Sequence, residues 1–165
     1  MKTMKKLAIL VLGVVLMGLT GCSNEPSIKT VTGMYNYKIA GSARVYYQED
    51  GSAKQVRLNT ETGTMTVVRE KDETDKVKIT MSADNGDLYA MVGVLTHDTI
   101  FFEPVSRDIY VDELEEMFRC QMNGEGQLLS DGAVSARIFI TGRAHEEQNV
   151  NLTTTDAQLY ATKTK

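Results

Sequence analysis

The stretch that decides the fold class is residues 33–47, GMYNYKIAGSARVYY. Tyr35, Tyr37 and Ile39 are separated from one another by single polar residues, and the alternation resumes after Gly41. A period of two is the pattern of a β-strand with one face buried and the other in water. The sequence therefore predicts strands here rather than a helix.

The same alternation recurs further along the chain, for example at Val77, Ile79 and Met81. Dipeptides that favour tight turns stand between the alternating segments, because glycine accepts the positive φ that a hairpin requires. They are Asp50-Gly51, Thr62-Gly63, Asn85-Gly86 and Asp131-Gly132. Strands joined by such short turns must be antiparallel, since a parallel pair needs a crossover of about a dozen residues.

An antiparallel chain of eight or more short strands must protect its edge strands from pairing with other molecules. Closure into a barrel removes the edges, and a two-layer β-sandwich is the alternative. We therefore predict an all-β fold in which an antiparallel meander closes as a barrel, with the sandwich as the second possibility.

One segment, residues 112–119, departs from the period of two. Leu114, Met117 and Phe118 fall at i, i+3 and i+4, with acidic residues before them and Arg119 at the end. This spacing and charge order favour a helix capped by Asp112. The sequence predicts one short helix near 112–119, whose clustered carboxylates indicate a solvated face rather than a metal or acid–base site.

Length and composition favour one globular domain: 165 residues, 42% apolar and 24% charged, without tryptophan. The formal net charge is -4, and it becomes -7 without residues 1–21, which contain three lysines and no acid. Nucleic-acid binding draws most of its affinity from clustered positive charge. The acidic balance therefore excludes nucleic acid as a partner.

The N-terminus has the pattern of a secretory signal peptide. Lysines precede an apolar run from Leu7 to Leu19, which is too short to span a membrane and long enough for export. The next residues, Leu19-Thr20-Gly21-Cys22, resemble the lipobox of bacterial lipoproteins. That resemblance implies cleavage before Cys22 and attachment of fatty acyl chains of the palmitate type to that residue.

Two or more acyl chains hold a protein stably on a membrane without a spanning segment. Ser23 follows the anchor where an Asp would resemble an inner-membrane retention signal, so the outer membrane is favoured, on either its periplasmic or its surface face. The predicted organisation is a signal peptide at 1–21, a lipidated tether at 22–32 and a single β domain at 33–165.

The sequence contains no recognisable catalytic constellation. Cys120 lacks a CxxC partner, His97 falls in a predicted turn, and His145 in a polar loop. The loop Asp84-Asn85-Gly86-Asp87 fails the spacing of a calcium site and indicates a hairpin turn. We predict no enzyme, no metal and no cofactor.

Aromatic residues and methionines on the predicted strands could fill a core or line a pocket. The opening Gly33-Met34-Tyr35-Asn36-Tyr37, followed by a meander of hairpins, resembles the lipocalin-like or calycin-like small lipoproteins of Gram-negative envelopes. That resemblance implies a barrel that binds a small apolar or amphipathic ligand, although no binding residue is identified. The alternative is a structural or assembly lipoprotein that engages another envelope protein.

Overall fold

The computed structural model describes residues 28–147 and 149–165. A short helical turn, α1 (Ile28–Val31), precedes the strands β1 (Gly33–Ala40), β2 (Ser42–Tyr47), β3 (Ala53–Arg57), β4 (Glu61–Arg69), β5 (Lys76–Ala83), β6 (Leu88–Thr96), β7 (Thr99–Val111), β8 (Glu116–Leu128), β9 (Val134–Ala144), β10 (Val150–Thr154) and β11 (Gln158–Lys163). A 3-10 turn at Asp112–Leu114 joins β7 to β8.

These strands form a closed antiparallel barrel of eight strands. Three pairs of consecutive strands, β1 with β2, β3 with β4, and β10 with β11, each act as one bent strand, because their partners run alongside both halves. The last strand, β11, pairs with β1 on one side and with β9 on the other, and this closes the ring. The predicted all-β barrel is therefore confirmed, and the sandwich alternative is not the fold.

The core lies inside the barrel and follows the period of two seen in the sequence. Along β1, Tyr35, Tyr37 and Ile39 are buried while the residues between them face water. Along β5, Val77, Ile79 and Met81 are buried in the same way. Alternation alone thus identifies the inward positions of these strands.

The short helix predicted near 112–119 is wrong. Only Asp112–Leu114 turns, as a 3-10 helix, and Glu115 then adopts a left-handed backbone with φ 53° and ψ 35° that ends the turn. From Glu116 onward the chain is β8, in which Phe118 and Cys120 are buried at alternate positions and both neighbouring strands pair with it. Two ladders of backbone hydrogen bonds outweigh the weak helical spacing of eight residues.

The dipeptide Thr62-Gly63 is also not a turn, because both residues lie within β4. Gly63 faces Tyr37 on β1 and Ala83 on β5. A Cβ atom at Gly63 would meet the backbone carbonyl of Ser82 and the Cα of Ala83. Glycine is needed here for close approach of two strands rather than for a positive φ.

The connections alternate between the two ends of the barrel. At one end, α1 packs its Val31 into the core, and the Tyr35 hydroxyl donates to the Val31 carbonyl at 2.8 Å. The described part of the segment predicted as a tether therefore includes this packed turn. Within residues 28–147 and 149–165, no helix is long and apolar enough to cross a membrane.

The opposite end carries the turn at 84–87, the 3-10 turn and the 145–149 connection. Near this end the ladder between β6 and β7 is incomplete, since it joins only Gly93–Thr96 to Thr99–Phe102. The register of β7 on β8 shifts between Phe102 and Val105, where Pro104 cannot donate a ladder hydrogen bond. The first half of β6 and the second half of β7 thus lie apart, and side chains fill the space between them.

Candidate functional site

A cavity of about 660 Å³ lies at this second end of the barrel. Its apolar floor includes Ile39, Leu58, Met122 and Ile140, which point into the core from four different strands or connections. Its polar wall comes from the start of β4, the 84–87 turn and the end of β7. The cavity therefore joins an apolar interior to a polar mouth.

A partly buried polar cluster around Glu61 forms part of this wall. The hydroxyls of Tyr37 and Tyr89 both donate to Glu61 Oε1, at 2.9 and 2.7 Å. Arg107 donates through Nη2 to Glu61 Oε2 at 2.7 Å and to Asp87 Oδ2 at 3.3 Å. Both oxygens of the Glu61 carboxylate are thus occupied by donors from three other strands.

The Arg107 guanidinium also lies over the Tyr89 ring, 4.1 Å from its centroid. This stacking places the cation against an aromatic face in a site with little water, where a cation–π contact is strongest. Only 11% of the Arg107 side chain is exposed, and 14% of Glu61. Tyr89 on β6 and Arg107 on β7 thus contact each other where these two strands have no ladder hydrogen bonds.

Glu61 is ionised in this environment. Burial alone would raise the pKa of its carboxyl, but the hydrogen bonds from Arg107, Tyr89 and Tyr37 outweigh burial and lower the pKa below its ordinary value of 4.5. Burial alone would likewise lower the pKa of Arg107, whereas its hydrogen bond to Glu61 leaves the pKa raised. The pair is a true ion pair at neutral pH.

The two tyrosines act as donors only. Burial and the neighbouring Glu61 carboxylate raise the pKa of Tyr37 and of Tyr89 well above the usual value of 10.0. A phenol that stays protonated and donates to a carboxylate cannot serve as a base. Their role in the cluster is to hold Glu61 in place.

Further carboxylates line the mouth. Asp84 accepts a hydrogen bond from the Thr62 hydroxyl at 2.7 Å, and Asp108 lies 3.1 Å from His145 Nε2. Asp87 is 53% exposed beside Arg107. Among the described residues that line the cavity, four are acidic and Arg107 is the one lysine or arginine. The formal charge of the lining is therefore negative.

The candidate residues from the sequence do not assemble a reactive centre. Cys120 is buried, and burial raises the pKa of its thiol to about 12, so it is not a nucleophile at neutral pH. His97 lies in the turn between β6 and β7, and His145 lies after β9 on the barrel exterior. Asp84 to Asp87 form the predicted hairpin turn, with Asn85 Oδ1 accepting from the Asp87 amide.

No group of three or more histidine, cysteine or acidic side chains within residues 28–147 and 149–165 is arranged to hold a metal ion. Cys22 and the lipobox lie outside the described residues.

Sequence analysis missed Glu61 and Arg107, although a signal was present. Glu61 lies an even number of residues from the buried Met65 and Val67 in β4, so its side chain points to the same inner face. Arg107 is related in the same way to the buried Val111 in β7. A charged residue at an inward position of a strand must find a partner or water. Two inward-facing residues of opposite charge in one small barrel therefore indicate an ion pair inside it.

Comparison with known proteins adds little beyond the fold. No protein-family model matches the sequence, and no curated protein matches it. Among solved structures, the chain is similar to a redesigned β-barrel, with a TM-score of 0.40 and 14% sequence identity over 86% of this chain and 97% of that chain. The fold and the site together define a closed eight-stranded barrel with a charged cavity at one end.

Proposed function

We propose that the protein is a lipid-anchored, non-catalytic binding protein of the bacterial envelope that holds a small amphipathic ligand in the cavity beside Glu61 and Arg107. The cavity is the observation that carries the binding part of this proposal. Its volume of about 660 Å³ falls within the range of about 300–1,000 Å³ typical of small-molecule sites. An apolar floor with a few fixed polar groups suits a ligand with both characters.

Binding is preferred to catalysis because the polar groups at the cavity are already satisfied by one another. Glu61 accepts hydrogen bonds from Tyr37, Tyr89 and Arg107, and its lowered pKa makes it a poor base. A general base needs a free lone pair near the proton that it takes. The cluster is suited to orienting a ligand.

The anchoring part rests on the lipobox at Leu19 to Cys22. Growth of cells with labelled palmitate tests it. Wild-type protein should carry label and fractionate with the outer membrane, whereas Cys22→Ala should carry none and remain uncleaved or soluble. Ser23→Ala is the control, because it keeps the cysteine. Label on the Cys22→Ala protein would refute lipid attachment at this residue.

Native mass spectrometry of the protein isolated from its own envelope tests ligand binding. We expect a retained small molecule, and we expect Thr60→Trp to lose it, because exposed Thr60 lines the cavity and an indole there obstructs it. Thr66→Trp is the matched control, since Thr66 is equally exposed on β4 and lies outside the cavity lining. A retained protein subunit with an empty cavity would instead favour an assembly role.

A further inference from the structure

We propose that the ligand of this cavity is an amphipathic cation, with a positively charged head group at the mouth and a hydrocarbon body on the apolar floor. This inference rests on the proposed binding function and adds the sign of the ligand's charge. Its basis is the arrangement of charges around the cavity.

Arg107, the one lysine or arginine among the described residues of the cavity lining, is already paired with two carboxylates. It donates through Nη2 to Glu61 at 2.7 Å and to Asp87 at 3.3 Å, and its guanidinium lies over the Tyr89 ring. The formal charge of Arg107, Glu61 and Asp87 together is therefore negative. An anionic head group would approach a cluster of its own sign, in which three donors hold Glu61 in place.

The other acidic residues of the lining are Asp84 and Asp108. Among the described residues, neither lies within ion-pair distance of a lysine or arginine; Asp84 accepts from the Thr62 hydroxyl, and Asp108 contacts His145 Nε2. Asp87 shares Arg107 with Glu61, so one positive charge faces two carboxylates. A concave site with low-dielectric walls concentrates such a field and raises the local concentration of cations.

The apolar part of the lining explains why the head group needs a hydrocarbon body. Ile39, Met122 and Ile140 are buried and line the cavity beside the carboxylates. Tyr110 and Met117 border the cavity and are 43% and 37% exposed. An aromatic face at the entrance attracts a cation as well as an apolar chain. A small hydrated metal ion would use none of this surface.

Isothermal titration of the full-length protein with three probes of equal chain length tests the proposal. The probes are decyltrimethylammonium, decanoate and decyl glucoside, each below its micellar concentration. We expect the cation to bind roughly tenfold or more tightly than decanoate. The preference for the cation should weaken as salt is added, because salt screens charges at the exposed mouth.

Substitutions show which residues attract the cationic probe. Asp84→Asn combined with Asp108→Asn should lower the affinity for the cation and leave decyl glucoside unchanged. Glu125→Gln is the control, since Glu125 is an exposed carboxylate on β8 that does not line the cavity. Glu61→Ala should raise the affinity for decanoate, because it removes one of the two carboxylates paired with Arg107 and frees two tyrosine hydroxyls for an incoming carboxylate.

The outcomes separate this inference from the function on which it rests. Failure of all three probes to bind the folded protein would overturn the binding function itself. Equal binding of the three probes, or tighter binding of decanoate to wild type, would leave the binding function standing and overturn the cationic ligand. Loss of cation binding in Glu125→Gln would also overturn it, because the attraction would then not come from the cavity.

Discussion

Glu61 is a partly buried carboxylate whose ionisation is linked to stability. Its pKa is lowered in the folded protein, so its contribution is complete above the ordinary value of 4.5 and is lost as pH falls through the lower folded value. We expect Glu61→Gln to lose about 1.5–3 kcal/mol of unfolding free energy at neutral pH. The difference from wild type should shrink in acid.

Urea unfolding at a series of pH values between about 3 and 7 measures this difference. Glu125→Gln is again the control, because removing the charge of an exposed carboxylate changes stability little. A Glu61→Gln protein that differs from wild type by the same amount at every pH would show that the ionisation of Glu61 is not coupled to folding.

Cys120 gives a second prediction at the level of a single residue. Its side chain is 1% exposed, and burial raises the pKa of the thiol to about 12. In the Cys22→Ala background, where Cys120 is the remaining thiol, iodoacetamide at about pH 8 should label the protein only after unfolding in urea. Rapid labelling of the folded protein would show that the thiol is accessible and reactive.

The residues of the candidate site were only partly predictable. The inward positions of Tyr37, Ile79 and Phe102 follow from period two, and all three are buried. The pairing of Glu61 with Arg107 joins two strands far apart in the sequence, and it depends on how the barrel closes. Alternation along a strand can show that a charged side chain points inward. It cannot show which residue of opposite charge lies beside that side chain on another strand.

At the scale of elements, Gly63 in β4 shows what a strand glycine contributes. A Cβ atom there would meet backbone atoms of Ser82 and Ala83, which can move only if β4 and β5 separate. We expect Gly63→Ala to cost about 1–3 kcal/mol of unfolding free energy by this overpacking. Thermal or urea unfolding measures the loss.

Thr64→Ala is the control for that substitution, since Thr64 is the exposed neighbour of Gly63 in the same strand. Its cost should stay below about 1 kcal/mol, the span of strand propensities. If Gly63→Ala were as stable as Thr64→Ala, the close approach of β4 and β5 would not need a glycine.

Turns were predictable where glycine supplies a positive φ, as at Gly51, Gly86 and Gly132. Thr62-Gly63 looks the same in sequence, but the glycine serves close packing within a strand. In the segment 112–119, the spacing of the apolar residues favours a helix, yet the chain is a strand from Glu116 onward. Tertiary pairing of β8 with β7 and β9 decides between the two, and local sequence does not contain that information.

At the scale of the whole molecule, closure depends on the bent strand formed by β10 and β11. This strand pairs with β9 on one side and with the bent strand of β1 and β2 on the other, so the first and last strands of the barrel meet. The alternating pattern is the same in a sandwich and in a barrel, and only this pairing separates them. The sequence could therefore favour a barrel without excluding the sandwich.

The pairing of β11 with β1 and β9, called the seam below, leads to a prediction about cooperative unfolding. Ala161 is fully buried at the seam, opposite Tyr37 on β1 and Val134 on β9, whereas its neighbour Thr162 faces water. We expect Ala161→Asp to cost about 3–5 kcal/mol, because it buries a charge without a partner. That is a large part of the roughly 5–15 kcal/mol that stabilises a typical domain. Thr162→Asp should stay within about 0.5 kcal/mol of wild type.

Hydrogen exchange shows whether the barrel depends on its seam as a unit. The strand to follow is β5 (Lys76–Ala83), whose ladder partners are β4 and β6 and not β11. If closure holds the barrel together, Ala161→Asp should speed exchange in β5 as much as in β11, since both open by global unfolding. Faster exchange confined to β11, β1 and β9 would contradict this expectation. It would show that the remaining strands are stable as an open meander without closure.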